Sequence, residues 1–234
     1  MIKTMSLIMT SLAFSALSLS SAAVFADDLS APGVPAFRPY VSVFGGLSTG
    51  AHIKTHWDGG DEIEDFNLNR SWSIGGAAGV KWNELLRTEL ELSHTQWSGD
   101  YLSTIWQGGA PSNSSAVGTV AATYLLGNVW VDMKSNSAFT PYAGGGVGLA
   151  FVNTTGVRWG NSSTWGYVDA SQTRLAWQLG AGVKYDISEQ LTLDVGYRFK
   201  NVDGLQFVNG NGRGNFVSGR LSSHNIEVGL TYNF

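Results

Sequence analysis

The stretch Ile226-Glu-Val-Gly-Leu-Thr-Tyr-Asn-Phe234 alternates apolar and polar residues up to the last position of the chain. Side chains along a strand point to opposite faces in turn, so Ile226, Val228, Leu230, Tyr232 and Phe234 share one face. Asn225, Glu227, Gly229, Thr231 and Asn233 share the other. A strand that is apolar on one side, polar on the other, and closed by an aromatic residue suits a membrane barrel. Lipid wets the outside of such a barrel, and a packed or watery lumen fills its inside.

Seven earlier segments repeat the pattern. The first strand is expected over Arg38–Ser48, with Val41, Val43 and Leu47 outward. The second spans Ser71–Trp82, with Trp72, Ile74, Ala78, Val80 and Trp82 outward. The third, Leu86–Trp97, turns Leu86, Leu90 and Leu92 to the apolar side, and the fourth, Val117–Asp132, turns Leu125, Val129 and Val131. Thr140–Val152, Gln172–Asp186 and Leu191–Lys200 complete the set. Short links join strands two to three, four to five and six to seven, whereas the other four connections are long. Short periplasmic turns facing long extracellular loops are the mark of an outer-membrane barrel, and they put both termini on the periplasmic side. The expected fold is therefore all-β, an eight-stranded antiparallel up-and-down transmembrane barrel over residues 37–234. Its outward aromatics sort into two girdles, Trp82, Tyr185, Tyr232 and Phe234 below and Trp72, Phe151, Trp177 and Phe199 above. A soluble lipocalin-like barrel would instead place the apolar face inside, and here the inward sets carry the charges.

Residues 1–26 read as a secretory signal peptide, with Lys3, an apolar Leu7–Leu19 and a Val24-Phe-Ala26 cleavage site. Seven Ser and Thr residues between positions 6 and 21 dilute the stretch, which disfavours a spanning helix. Residues 27–36 form a short periplasmic N-terminal segment in this reading. The remaining chain has 13 Lys plus Arg against 18 Asp plus Glu, a net −5 that argues against a nucleic-acid partner. Without any Cys, stability has to come from backbone pairing and packing.

The inward faces gather Lys81, Arg87, Arg174, Lys184, Arg198 and Lys200 with Glu89, Glu91, Asp194 and Glu227. A Lys or Arg at the bilayer midplane costs roughly 2–4 kcal/mol on the lipid face. Inside an eight-stranded barrel, just wide enough for its side chains, the same groups have each other as partners. A plugged lumen is expected, with a charge-lined narrow pore as the alternative. Inward glycines such as Gly144, Gly146 and Gly148 leave room for the long side chains.

Several stretches together resemble the small eight-stranded outer-membrane barrels that include the OmpA transmembrane domain, the Opa adhesins and alphaproteobacterial surface antigens. They are Arg87-Thr-Glu-Leu-Glu-Leu92, Gly127-Asn-Val-Trp-Val-Asp132, Thr140-Pro-Tyr-Ala-Gly-Gly-Gly-Val-Gly148, Leu193-Asp-Val-Gly-Tyr-Arg198 and Ser222 through Phe234. The resemblance implies outer-membrane lipid and lipopolysaccharide as surroundings, and Tyr232 and Phe234 as the signal read by the barrel-insertion machinery. The chain stops at the eighth strand, so wall anchoring through an OmpA-type periplasmic domain is not carried over. Members of the family serve as structural proteins, adhesins, antigens and, in some branches, hemin binders.

Chemistry-bearing groups are sparse. Asp58 to Asp65 holds five acids in eight residues, but its spacing fits no Ca²⁺ loop and reads as a solvated segment. Trp57, Trp106, Trp159, Trp165 and Phe207 are candidate loop contacts, because exposed Trp and other aromatics anchor interfaces. Ser222 shares a face with His224, yet no carboxylate completes a triad, and no catalytic, metal or cofactor site is assigned. The function expected is a structural and surface-interaction barrel whose loops meet a host or cell-surface ligand. A narrow ion pore or a hemin-capturing receptor is the alternative.

Overall fold

Period-two alternation folds here into a single antiparallel sheet that closes on itself. The computed structural model describes residues 38–56, 63–105, 112–133, 137–159, 166–208 and 216–234. Residues 1–26, expected to be a signal peptide, and residues 27–36 lie outside them. The strands are β1 (Arg38–His56), β2 (Ile63–Leu68), β3 (Ser71–Lys81), β4 (Leu86–Ile105) and β5 (Ser112–Asp132). β6 (Phe139–Trp159), β7 (Gly166–Asp186), β8 (Leu191–Val208) and β9 (Phe216–Asn233) follow. Neighbours pair in the order β2-β1-β3-β4-β5-β6-β7-β8-β9, and β1 also pairs with β9 from Tyr40–Asn233 to His56–Ser218. That last ladder makes the sheet a barrel. β2 pairs with both β1 and β4, so it prolongs β3 beyond the break at Asn69-Arg70. The expected eight-stranded up-and-down barrel is the architecture found, with its second strand in two pieces.

The strand bounds agree with expectation at the short-turn end and differ at the other. β1 reaches His56 rather than Ser48, β4 reaches Ile105 rather than Trp97, and β9 starts at Phe216 rather than Ile226. Much of what reads as four long loops is strand. Crossing a bilayer takes about 9–11 tilted residues, whereas β4 through β9 have 18 to 21. Each of these strands therefore crosses the membrane and continues roughly as far again outside it.

The two halves use the alternation in opposite phase. In the membrane half the outward set is apolar: Val43, Leu90, Val147 and Leu175 are all exposed, the last at 74%. Beyond that belt the outward set becomes polar, as with Gln96, Ser98, Asn153 and Thr173, while the inward set becomes apolar. Water has replaced lipid as the outer solvent, so the hydrophobic effect now drives apolar side chains inward. Ladder register shifts are confined to the outer half, and positive-φ glycines Gly50, Gly118, Gly156 and Gly204 sit at them. At Gly204 (φ 71°) the turn into the left-handed region lets β8 bulge between Val202 and Leu205.

Candidate functional site

The inner face of the membrane half is a stack of carboxylate hubs. At the periplasmic end Asp132, on β5, accepts from Arg87 Nε at 3.1 Å and pairs with Lys184 of β7. One step up, Glu89 accepts from Tyr40 Oη at 2.7 Å, Trp130 Nε1 at 2.7 Å and Asn128 Nδ2 at 3.1 Å. Arg87 Nη1 stands 3.5 Å from the same carboxylate. Glu91 accepts from Gln178 Nε2 at 2.6 Å, Lys200 Nζ at 2.8 Å, Ser93 Oγ at 2.8 Å and Asn128 Nδ2 at 2.9 Å. The Gln178 and Lys200 bonds join strands on opposite sides of the ring, β4 to β7 and β8, so they run across the interior.

Aromatic rings fill the space between hubs. The Arg198 guanidinium carbon lies 4.0 Å from the Trp130 ring centroid, and Arg198 Nε is 3.7 Å from Glu227. Tyr142 meets Trp130 edge-on at 5.6 Å and donates to Asp194 at 3.0 Å. Cation–π contact suits an Arg that must be desolvated. The ring of Tyr142 reaches this position because Gly182 and Gly196 face it; a Cβ at either would come within 2.5 Å of its hydroxyl.

Of the ten charged residues read as lumen-facing, the structure brings Arg87, Glu89, Glu91, Lys184, Asp194, Arg198, Lys200 and Glu227 into this stack. Lys81 shares their face and is half-buried. Arg174 does not join them. It stands near the middle of β7, on the outer side of Gln178, and donates to Gln172 Oε1 at 3.1 Å and Gln206 Oε1 at 3.0 Å. Asp132 takes its place, which balances Lys81, Arg87, Lys184, Arg198 and Lys200 against five carboxylates. It was missed although it has the parity of Asn128 on the same strand. The neutral members Tyr40, Asn128, Trp130, Tyr142 and Gln178 carry no charge to mark them in a sequence.

The aromatics assigned to girdles lie on the outer face. Trp72, Trp82, Phe151, Tyr185, Tyr232 and Phe234 are exposed. Trp177 and Phe199 are half-buried against each other at 5.5 Å. Phe234 N donates to Pro39 O at 3.1 Å, tying the end of the chain to the start of β1. Above the outer girdle, Asp203 accepts from Arg220 Nε at 2.6 Å, Asn201 Nδ2 at 2.8 Å and Trp177 Nε1 at 3.1 Å. Ser222 Oγ donates to Asn201, and His224 Nδ1 meets the Tyr197 hydroxyl. Ser222 and His224 therefore do not bond to one another as a nucleophile and base would.

The candidate loop contacts fall differently from expectation. Trp57, Trp106 and Trp165 lie outside the described residues. Trp159 and Phe207 belong to β6 and β8, not to loops, and their side chains lie outside the described set. What the outer end does contain is an apolar core behind the polar outer face. Trp97, Val120, Val152, Leu205 and Leu221 are at most 2% exposed. Trp97 places its indole nitrogen 3.0 Å from Ser48 Oγ.

An apolar belt, a closed sheet and a charged interior make this a membrane-spanning barrel, and a model of the outer membrane protein β-barrel domain matches residues 9–234. The chain belongs to that family. Bacterial outer membrane is therefore its location. An uncharacterised protein of Brucella abortus is 27% identical over 213 residues, covering 73% of this chain and 71% of that one. A candidate adhesin of Rickettsia bellii is 29% identical over 133 residues, covering 53% of this chain and 58% of its own. Among solved structures, the outer membrane protein OprG of Pseudomonas aeruginosa superposes with a TM-score of 0.51. It is 13% identical, over 83% of this chain and 95% of OprG, a likeness of fold alone.

Proposed function

We propose that this barrel keeps its lumen closed and offers its projecting outer end as a contact surface for a host or cell-surface ligand. The observation that carries the reading is the phase switch. Strands that continue past the lipid belt, around an apolar core of their own, build a stiff platform where a simple membrane anchor would need only short turns. The likeness to an adhesin candidate supports a surface role. In this reading the signal peptide leaves after Ala26, and Tyr232 and Phe234 guide insertion. Outer-membrane lipid and lipopolysaccharide surround the belt.

The test uses cells expressing the barrel and variants whose four hairpins are shortened to the height of the belt. Attachment to epithelial monolayers is expected with the full chain and lost with the shortened one, while both remain folded in the outer membrane. Equal attachment would overturn the contact reading. In planar bilayers the full chain is expected to stay silent, since cross-strand bonds at Glu89 and Glu91 occupy the interior. A steady conductance would replace the closed lumen with a narrow pore.

A further inference from the structure

Seven seams of the barrel continue into the outer half, and one stops. Pairing of β7 with β8 runs from Asp186–Thr192 to Ala176–Val202 and ends there. Both strands go on, β7 for ten residues (Gly166–Leu175) and β8 for six (Asp203–Val208), each still paired on its other side. Among the described residues no ladder joins these two edges. The bulge at Asp203-Gly204 marks the point of divergence. Trp177, Asn201 and Arg220 all hold Asp203 there. Unpaired strand edges are templates for another chain, and soluble ends of proteins usually hide them.

Here side chains bridge the opening, Gln172 by two bonds and Arg174 by one. Gln172 Nε2 donates to the Gln206 carbonyl at 2.6 Å, and the Gln206 amide donates to Gln172 Oε1 at 2.9 Å. A glutamine amide has the same donor and acceptor as a peptide group, so it occupies the place of one residue of a missing strand. Arg174 lies beside it. Among the described residues its guanidinium meets the two neutral amide oxygens of Gln172 and Gln206, and its buried Nε has no partner. No carboxylate pairs with it among the described residues.

We propose that this seam receives an extended peptide segment carrying an acidic side chain. The segment adds to the free edge of β7 by backbone hydrogen bonds. Its carboxylate faces Arg174 across the strand pair, replacing neutral acceptors with a charge-assisted bond. Admitting a strand needs the edges about 9.6 Å apart, twice the usual spacing. The Gln172 bridge must therefore open, and it acts as the latch. The site rests on the reading of the outer end as a contact platform and names the chemistry of what it contacts.

The test uses the full chain purified from outer membranes and three fluorescein-labelled decapeptides alternating Val with Glu, Lys or Gln. The Glu peptide is expected to bind about tenfold more tightly than the Lys peptide, as charge complementarity at one half-buried Arg would give. Arg174→Gln should bring the two near parity, and Gln172→Ala should tighten binding of the Glu peptide. Hydrogen exchange should slow at residues 166–175 on binding, a readout that does not depend on any variant folding. Equal binding of the peptides, a preference that survives Arg174→Gln, or protection elsewhere would overturn the proposal. So would protection of the same amides by sodium dodecanoate with no peptide effect, which would make the seam a site for a carboxylate lipid. Hairpin shortening tests the platform separately: cell attachment that persists in Gln172 and Arg174 variants and vanishes on shortening would remove the seam alone.

Discussion

Glu91 is 2% exposed and accepts from four side chains, one of them the equally buried Lys200. Taking both charges from water is costly, and the pair holds because every lone pair in reach finds a donor. Removing one partner leaves the other charged and poorly matched, Lys200 facing Glu227 Oε1 at 3.8 Å; breaking a buried pair typically costs about 3–5 kcal/mol, whereas replacing both by apolar residues is often near neutral. Glu91→Met and Lys200→Met are each expected to lose about that much, and the double variant far less than either. Urea unfolding in detergent micelles, followed by tryptophan fluorescence, measures all three. Additive losses would mean that the two residues act separately.

Along β4 the outward set reads Leu86, Thr88, Leu90 and Leu92, then His94, Gln96 and Ser98. One face of one element therefore meets lipid below and water above. Leu90→Arg should cost roughly 2–4 kcal/mol, the toll of a cation at the lipid face. Gln96→Arg, six residues on and with the same parity, should stay within about 0.5 kcal/mol. Refolding into lipid vesicles at graded urea separates the two, and equal losses would move the membrane boundary. The same strand explains what the sequence made legible. Outward parity could be read throughout the belt, because lipid enforces an apolar residue at every second position. Past Leu92 the rule reverses, and apolar-outward alternation ends where the strand does not. Asp203-Gly204 shows a second limit of composition. It has the composition of a hairpin turn but serves as a bulge inside β8, which runs to Val208 where the seventh strand was expected to end at Lys200. Arg174 looked like a lumen charge by parity alone; parity gives the face, whereas height along the strand decides which charges meet.

At the scale of the molecule the chain has two interiors stacked on one closed sheet. The lower is ionic and hydrogen-bonded, enclosed by lipid; the upper is apolar, enclosed by water. Backbone pairing is continuous between them, yet the side-chain bonds that hold the lower stack do not depend on Trp97, Val120 or Leu221. Insertion and the outer belt should therefore tolerate damage to the upper core. Trp97 is 1% exposed, and truncating a buried Trp typically costs about 3–5 kcal/mol. Trp97→Ala is expected to reach the outer membrane in near-normal amount, while its outer hairpins become cleavable by protease added to intact cells. The fragment left after cleavage should still migrate as a folded barrel on an unheated gel. If the variant instead fails to assemble, the two interiors form one cooperative unit and the platform cannot vary independently of its anchor. Separate interiors would let the contact surface change residue by residue while the part in lipid stays fixed.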